Sequence, residues 1–305
     1  MTIRLGYACI NMGLQERKPN KITCNRGMIK RTFLSKGISY ASELSLKNTM
    51  DLIKIIAWNN EQGIKVFRMT SCLFPWMSEY EISELPDFEG IKANLEYAGK
   101  IARENNQRLS FHPGPFNILS SPKEKVVQSS IIDLTRHGEI MDLMGMPRNH
   151  WAKINIHLGA AYGDREGSID RWCRNFNLLP DSVKSRLTLE NDDRGNLYST
   201  KMLYEGVYKR LGIPIVFDSH HFECGPQDTS YEEAIGMAVE TWPEGITPQC
   251  HHSNSKKEYE DKSVAKSAHS AYYYKPFENC GHTVDVVLEA KAKERALFKY
   301  LKDFS

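Results

Sequence analysis

The chain has 305 residues, 41% of them hydrophobic and 26% charged, with a formal net charge of +2. This balance fits a soluble globular protein built as one large domain or two medium ones. It excludes a membrane span and a membrane partner, because no apolar run reaches the roughly 18 residues that a span needs.

Strand-like runs are expected at Ile3–Ala8, Ile64–Met69, Arg108–His112, Lys153–His157, Arg186–Asn191, Ile213–Asp218, Thr247–His251 and Val284–Glu289. The Ile213–Asp218 run is β-branched and apolar without polar alternation, as in a parallel strand buried on both faces. Thr247–His251 is short, and Pro248 suits only a strand's start. Helical spacing fills the gaps. Leu46, Met50, Ile53, Ile56 and Ala57 recur at such spacing before Gly63, and Ile91, Leu95, Ala98 and Ala102 repeat the pattern. Further helices are expected over Val126–Met144, Ser168–Asn175, Thr200–Leu211, Tyr231–Glu240 and Lys291–Lys302. Strands alternating with helices imply parallel βαβ units. Eight units fit a closed α/β barrel, the (β/α)8 TIM barrel, which needs about 250 residues. One such domain over residues 1–305 is expected, with its active site at the C-terminal ends of the strands.

Seven cysteines (Cys9, Cys24, Cys72, Cys173, Cys224, Cys250 and Cys280) are scattered and form no C-x-x-C pair. This points to a reducing, intracellular location, cytoplasm or nucleoid, and the N-terminus lacks a signal peptide's basic-then-apolar pattern. Any metal is then expected on His, Asp and Glu. Between Arg17 and Lys36 lie seven basic residues and no acid. Such a run is ordinarily a solvated loop; here it follows the first strand, so phosphate contact on the active-site face is the alternative, with Lys21, Arg26 and Lys30 foremost.

The strand ends carry the chemistry. Strands three to eight end in His112, His157, Glu190, Asp218 (with His221 close behind), His251 and Glu289. Each alone reads as a satisfied structural group. Together they would meet at one rim, where uncompensated carboxylates repel and their pKa values rise. Cations resolve this, and three imidazoles plus three carboxylates, with His221 and His269 nearby, exceed the needs of one ion. Two or three divalent ions are inferred. Such a site suits phosphodiester hydrolysis, and it also suits a sugar isomerase or epimerase.

The motifs discriminate. Arg4-Leu5-Gly6-Tyr7 with Asn11, Phe67-Arg68-Met69 with Leu73-Phe74-Pro75, Leu109-Ser110-Phe111-His112-Pro113-Gly114, His157-Leu158-Gly159 with Ala161-Tyr162-Gly163, Leu189-Glu190-Asn191-Asp192, Asp218 with His221, His251 with Ser253, and Glu289-Ala290-Lys291 with Lys293-Glu294 follow one another in order. The set resembles the UV-damage endonucleases, relatives of the endonuclease IV type of abasic-site nuclease. The resemblance implies a barrel that nicks damaged double-stranded DNA immediately 5′ to cyclobutane pyrimidine dimers and 6-4 photoproducts, with abasic sites as further candidates, and leaves a 3′-hydroxyl. It implies metal ligands at His112, His157, Glu190, Asp218, His221, His251, His269 and Glu289. Glu190 would bridge one ion on His112 and His157 to a second on Asp218, His251 and Glu289, and His221 and His269 would serve a third. Glu190, Asp218, His251 and Glu289 would carry the catalysis. Manganese is the implied metal, with zinc, magnesium and cobalt as alternatives, and a monomer is expected.

Four features depart from the family's pattern. Gln249 stands where many members carry a modified lysine. Pro115-Phe116 replaces Gln-Tyr, whose role is to probe the DNA opposite the lesion; Phe116 can still stack on bases. Glu79 replaces a histidine and would be a weaker ligand for soft ions. The third ion has only two evident ligands. Activity is expected because the core set is intact, whereas a lesion-binding protein that no longer cuts is the alternative from another class.

Tyr7, Asn11 and Tyr162 are further candidates for contact with the lesion, although an aromatic at Tyr7 is as often packing. His220 and His252 are expected to be structural, since strand alternation turns neighbours of ligands away. His137 and His150 are expected at the surface. Trp76 suits either packing or DNA, and rim packing is expected for Tyr272-Tyr273-Tyr274-Lys275.

Overall fold

The structure, a computed structural model, describes residues 3–304. Eight strands are present: β1 (Ile3–Cys9), β2 (Val66–Met69), β3 (Arg108–Ser110), β4 (Ile154–His157), β5 (Leu187–Glu190), β6 (Ile215–Val216), β7 (Gln249–His252) and β8 (Val284–Leu288). Every paired set runs parallel, in the orders β3-β2-β1-β8-β7 and β4-β5-β6. Two parallel bridges join the arcs. Phe111 pairs with Ile154 between β3 and β4, and Asp218 pairs with His251 between β6 and β7. The ring is thus the expected (β/α)8 barrel. β1 and β2 approach closely at Gly6, where a Cβ would sit 1.8 Å from the Val66 carbonyl oxygen.

Helices Lys30–Glu61, Phe88–Glu104, Glu124–Leu143, Arg165–Phe176, Tyr231–Glu240 and Lys293–Phe304 surround the strands. The helix expected over Thr200–Leu211 is interrupted by a π-helical turn, Tyr204–Tyr208. β7 starts just after Pro248, whose carbonyl accepts from the Asp285 amide. Immediately after β6 comes a short helix, Ser219–Cys224, that sequence periodicity did not suggest. Asp218 caps it, accepting from the amides of His220 and His221. None of the described helices is long and apolar enough to cross a membrane.

Strand alternation divides two environments. Tyr7, Phe67, Leu109, Phe111, Ile154, Ile156, Leu187, Leu189 and Phe217 belong to the large apolar core that also takes in the helices' buried faces. Ala8, Val66 and Val287 form a separate small cluster inside the barrel. The rest of the interior is polar, and side chains meet across it. Arg108 Nη1 donates to Asp285 Oδ2 at 2.9 Å, and Thr188 Oγ1 donates to Asn155 Oδ1 at 2.7 Å. These pairs offset the cost of burying polar groups there.

Two surface expectations fail. His137 is buried in helix Glu124–Leu143, with its ring edge-on to Phe111 at 5.0 Å and Nδ1 donating to the Asp133 carbonyl. That helix packs this face onto β3. His150 is half-buried, and its carbonyl accepts from Arg108 Nη2. Trp76 is a packing residue, with Nε1 donating to the Met28 carbonyl and its ring stacked on Phe33. Tyr273 is also packed, and its hydroxyl accepts from the Ala290 amide.

Candidate metal centre

The mouth of the barrel is built around Glu190, the last residue of β5. One carboxylate oxygen lies 2.8 Å from His112 Nε2, and the other lies 3.0 Å from His251 Nδ1. Asn155 Nδ2, two residues before His157 on β4, donates to the first oxygen. Burial alone would raise the Glu190 carboxyl, but His251 and His112 outweigh it and hold the group well below the usual carboxylate range.

Two groups of ligand atoms lie within 4.8 Å of one another: His112, His157 and Glu190, and Glu190, Asp218, His251 and Glu289. Either group could hold a metal ion. Two details fit a cation. Asp218 Oδ2 is buried with no hydrogen-bond partner, because the short helix uses only Oδ1. His112 has acceptors at both ring nitrogens, the Pro113 carbonyl at 3.2 Å and Glu190 at 2.8 Å. Burial pushes His112 down to about 4, so the neutral ring has one proton for two acceptors.

His157 behaves oppositely. Burial opposes its charge, but Asp192 Oδ1 at 3.2 Å from Nδ1, then Glu190 and Asp218, push it up to about 10. His221 also shifts upward against burial, through Asp218 and Glu190, and its Nδ1 faces the Asn191 carbonyl at 2.9 Å. An ion bound to either ring would have to displace one of its protons. His269 lies outside both groups. Its ring centroid is 6.4 Å from that of His221 and 5.4 Å from that of His220, and its buried Nδ1 has no partner. Burial holds it down to about 4. His252 is structural, between Ser219 Oγ at 2.7 Å and the Lys275 carbonyl.

Four residues of the centre had no role assigned from the sequence. Arg68 on β2 pairs with Glu289 and holds that carboxylate well below its usual range despite burial. Lys153 lies 3.2 Å from His251 Nε2. Asn155 and Asp192 contact Glu190 and His157. The available signal was the run Lys153, Asn155, His157, a polar residue at every second position from just before β4 to its end.

Other expected residues lie elsewhere. Tyr7 is fully buried on the outer face of β1, where its hydroxyl donates to Asn59 Oδ1 and accepts from Asn11 Nδ2. Asn11 is buried as well and caps the turn at Leu14. Neither faces the cleft, because alternation points Gly6 and Ala8 inward instead. Glu79 is exposed in the turn Met77–Glu79 and belongs to neither ligand group. Arg26 is committed to Asp51 at 2.6 Å, whereas Lys21 and Lys30 are exposed. A cleft of about 990 Å³ opens beside His157 and His221, lined also by Pro115, Tyr162, Asp192 and Arg194. Pro115 and Phe116 are exposed at its edge of the rim.

A family model described as UV-endonuclease UvdE matches residues 3–305. The chain belongs to this family. A UV-damage endonuclease of Schizosaccharomyces pombe is 36% identical over 99% of the chain, which spans 50% of that relative. A UV DNA damage endonuclease of Bacillus cereus (strain B4264) is 31% identical over the whole chain and 95% of its own length. The crystal structure of SacUVDE superposes with a TM-score of 0.86 at 28% identity, covering 99% of this chain and 97% of that one. D-psicose 3-epimerase from Clostridium cellulolyticum H10 superposes at 0.54 with 13% identity over 78% of each chain, a likeness of fold alone. UvdE membership therefore joins a DNA-repair family to a barrel whose mouth can hold metal.

Proposed function

We propose that this UvdE-family chain is a DNA repair endonuclease that hydrolyses the phosphodiester immediately 5′ to UV photolesions and leaves a 3′-hydroxyl. Cyclobutane pyrimidine dimers, 6-4 photoproducts and abasic sites are its lesions. It works as a monomer on double-stranded DNA inside the cell. The observation that carries this is Glu190, one buried carboxylate common to two ligand groups beside an open cleft. His112, His157 and Glu190 would hold one divalent ion, and Glu190, Asp218, His251 and Glu289 a second. His221 and His269 would serve a third. Manganese is the first choice, with zinc, magnesium or cobalt able to substitute. Bound ions supply Lewis-acid stabilisation of phosphate charge and a nucleophile near neutral pH.

The chain's own groups do the positioning. Arg68 keeps Glu289 ionised and fixed, Asn155 fixes Glu190, and Asp192 orients His157. Phe116 and Tyr162 flank the cleft, where a distorted, weakly stacked lesion costs less to unstack than intact duplex.

The test is nicking of irradiated supercoiled plasmid with Mn²⁺. Wild-type protein should nick irradiated and spare unirradiated plasmid, and Glu190→Gln should lose more than about 100-fold, beyond the loss typical of an outer-shell partner. Full activity in Glu190→Gln, or wild-type binding without nicking, would overturn the assignment. Turnover of a free ketose, unaffected by DNA, would favour the epimerase chemistry of the fold's other relatives.

A further inference from the structure

Ile29, Leu34 and Phe116 are the most exposed large hydrophobic residues among those described, at 69%, 73% and 79%. All three lie on segments that leave the C-terminal ends of strands, and so on the rim that carries the metal centre. Phe116 follows β3 within the cleft's own loop. Ile29 and Leu34 stand apart from it, at the start of helix Lys30–Glu61.

That start is built poorly for stability. Ile29 offers no side-chain cap, the first turn has no acid, and Lys30 and Arg31 place positive charge at the end of the helix dipole that repels it. Gly37, at φ 64°, separates the first two turns from the rest of the helix. What holds them is Phe33, stacked on Trp76 and tilted against Tyr80. Leu34, Lys30, Arg31 and Lys36 are left in water. Two exposed aliphatic side chains, with Lys30, Arg31 and Lys36 close by in sequence and no acid from Arg17 to Lys36, match a duplex: phosphates for the charges and a base step for the apolar tips.

The position fits as well. Trp76 Nε1 donates to the Met28 carbonyl, and Ser71 Oγ on the same loop donates to the carbonyl of His112. Five residue steps separate Ser71 from Trp76, at most roughly 18 Å of extended chain. This loop therefore links the start of the helix to the segment that carries His112.

We propose that Ile29 and Leu34 form an apolar wedge, distinct from Phe116, that presses into the duplex beside the lesion while Lys30, Arg31 and Lys36 hold the flanking phosphates. The proposal rests on the DNA-endonuclease function above. Wedges of this type partly unstack a base step and bend the duplex, which presents the lesion to the cleft.

The experiment uses the full chain and duplexes carrying one pyrimidine dimer, with 2-aminopurine placed in turn at each flanking position of both strands, in EDTA to prevent cleavage. Wild-type protein should raise fluorescence at one flanking step. Ile29→Ser/Leu34→Ser should abolish that rise and weaken binding about tenfold, the scale of losing stacking at one base. Both residues are exposed and Ile29→Ser supplies a helix cap, so thermal denaturation should not fall below wild type, and the Mn²⁺ titration should match wild type. Leu34→Phe should keep or enlarge the rise. Unchanged fluorescence and affinity in the double serine variant, with wild-type protein that nicks irradiated plasmid, would overturn the wedge alone. A wild-type protein that neither binds nor nicks damaged DNA would overturn the function and the wedge together.

Discussion

Lys153 Nζ lies 3.2 Å from His251 Nε2, inside the barrel and away from solvent. The other nitrogen of His251 lies 3.0 Å from both Glu190 and Glu289. The imidazole is thus held between an amine below and carboxylates above, with Nδ1 aimed at the ligand group. Burial keeps the Lys153 ammonium well below its ordinary pKa, so the lysine costs stability where it stands. Lys153→Met should leave the fold as stable or stabilise it by up to about 2 kcal/mol, since an apolar chain of similar length replaces a buried amine. The same variant should lose about 10- to 100-fold in metal affinity, as outer-shell partners of metal ligands do. Thermal denaturation and Mn²⁺ titration check the opposite signs. A variant that loses stability and keeps affinity would assign Lys153 to the core alone.

The metal-free protein should respond to pH in two windows. His157 sits at about 10 when folded and near 6.5 when unfolded, mainly because Asp192 overcomes burial. Its contribution is complete below pH 6.5 and is lost as pH rises through about 10. His112, held at about 4 by burial, contributes above pH 6.5 and is lost as pH falls through about 4. Metal must displace the His157 proton, so affinity should rise with pH up to about 10 and binding should release protons. Calorimetric titration in buffers of different ionisation enthalpy counts them. Binding without proton release near pH 8 would contradict the His157–Asp192 pairing.

Arg26 and its basic neighbours should separate cleanly. Arg26 Nη2 pairs with Asp51, a nearly buried carboxylate that Lys54 also contacts. Arg26→Ala should cost about 1–3 kcal/mol by stranding part of that acceptor. Lys21→Glu and Lys30→Glu should leave stability nearly unchanged and reduce the slope of log affinity against log salt by about 0.9 for each phosphate no longer neutralised. Urea unfolding and DNA binding at several salt concentrations distinguish the two effects. An unchanged salt slope would remove phosphate binding from this loop.

Tyr7 and Phe116 form a second contrast. Tyr7→Phe deletes a buried hydroxyl joining Asn59 and Asn11, and should cost about 1–3 kcal/mol of stability with nicking per folded molecule retained. Phe116→Ala removes an exposed ring and should leave stability alone, while binding to damaged duplex weakens by about 1–3 kcal/mol. Denaturation curves beside binding curves decide both. A binding defect in Tyr7→Phe would return that residue to the lesion pocket.

The eight strands, and the ligand-type residues at or beside their C-terminal ends, are legible in the chain itself. Leu109-Ser110-Phe111-His112 and Leu187-Thr188-Leu189-Glu190 read directly as apolar runs closed by a metal-type ligand. Parallel barrel strands are buried on both faces, so their signal is local and survives without partners. The ordered motifs likewise carried the family. The capped turn after Asp218 and the π-helical turn at Tyr204–Tyr208 were not legible, because both depend on hydrogen bonds rather than apolar spacing.

Only the tertiary structure decided which strand-end polar groups face the mouth. Facing is set by pairing register, and a slip of one residue reverses every side chain. Register sends Tyr7 outward to Asn59 and brings Lys153, a residue with no chemical signature of its own, beneath His251. It also took a long helix to bring Asp51 to Arg26, turning a presumed DNA contact into an internal ion pair. The chain by itself determined which elements form and which ligand types end them; folding assigned their partners, because electrostatic pairing depends on distances that exist only once the ring has closed.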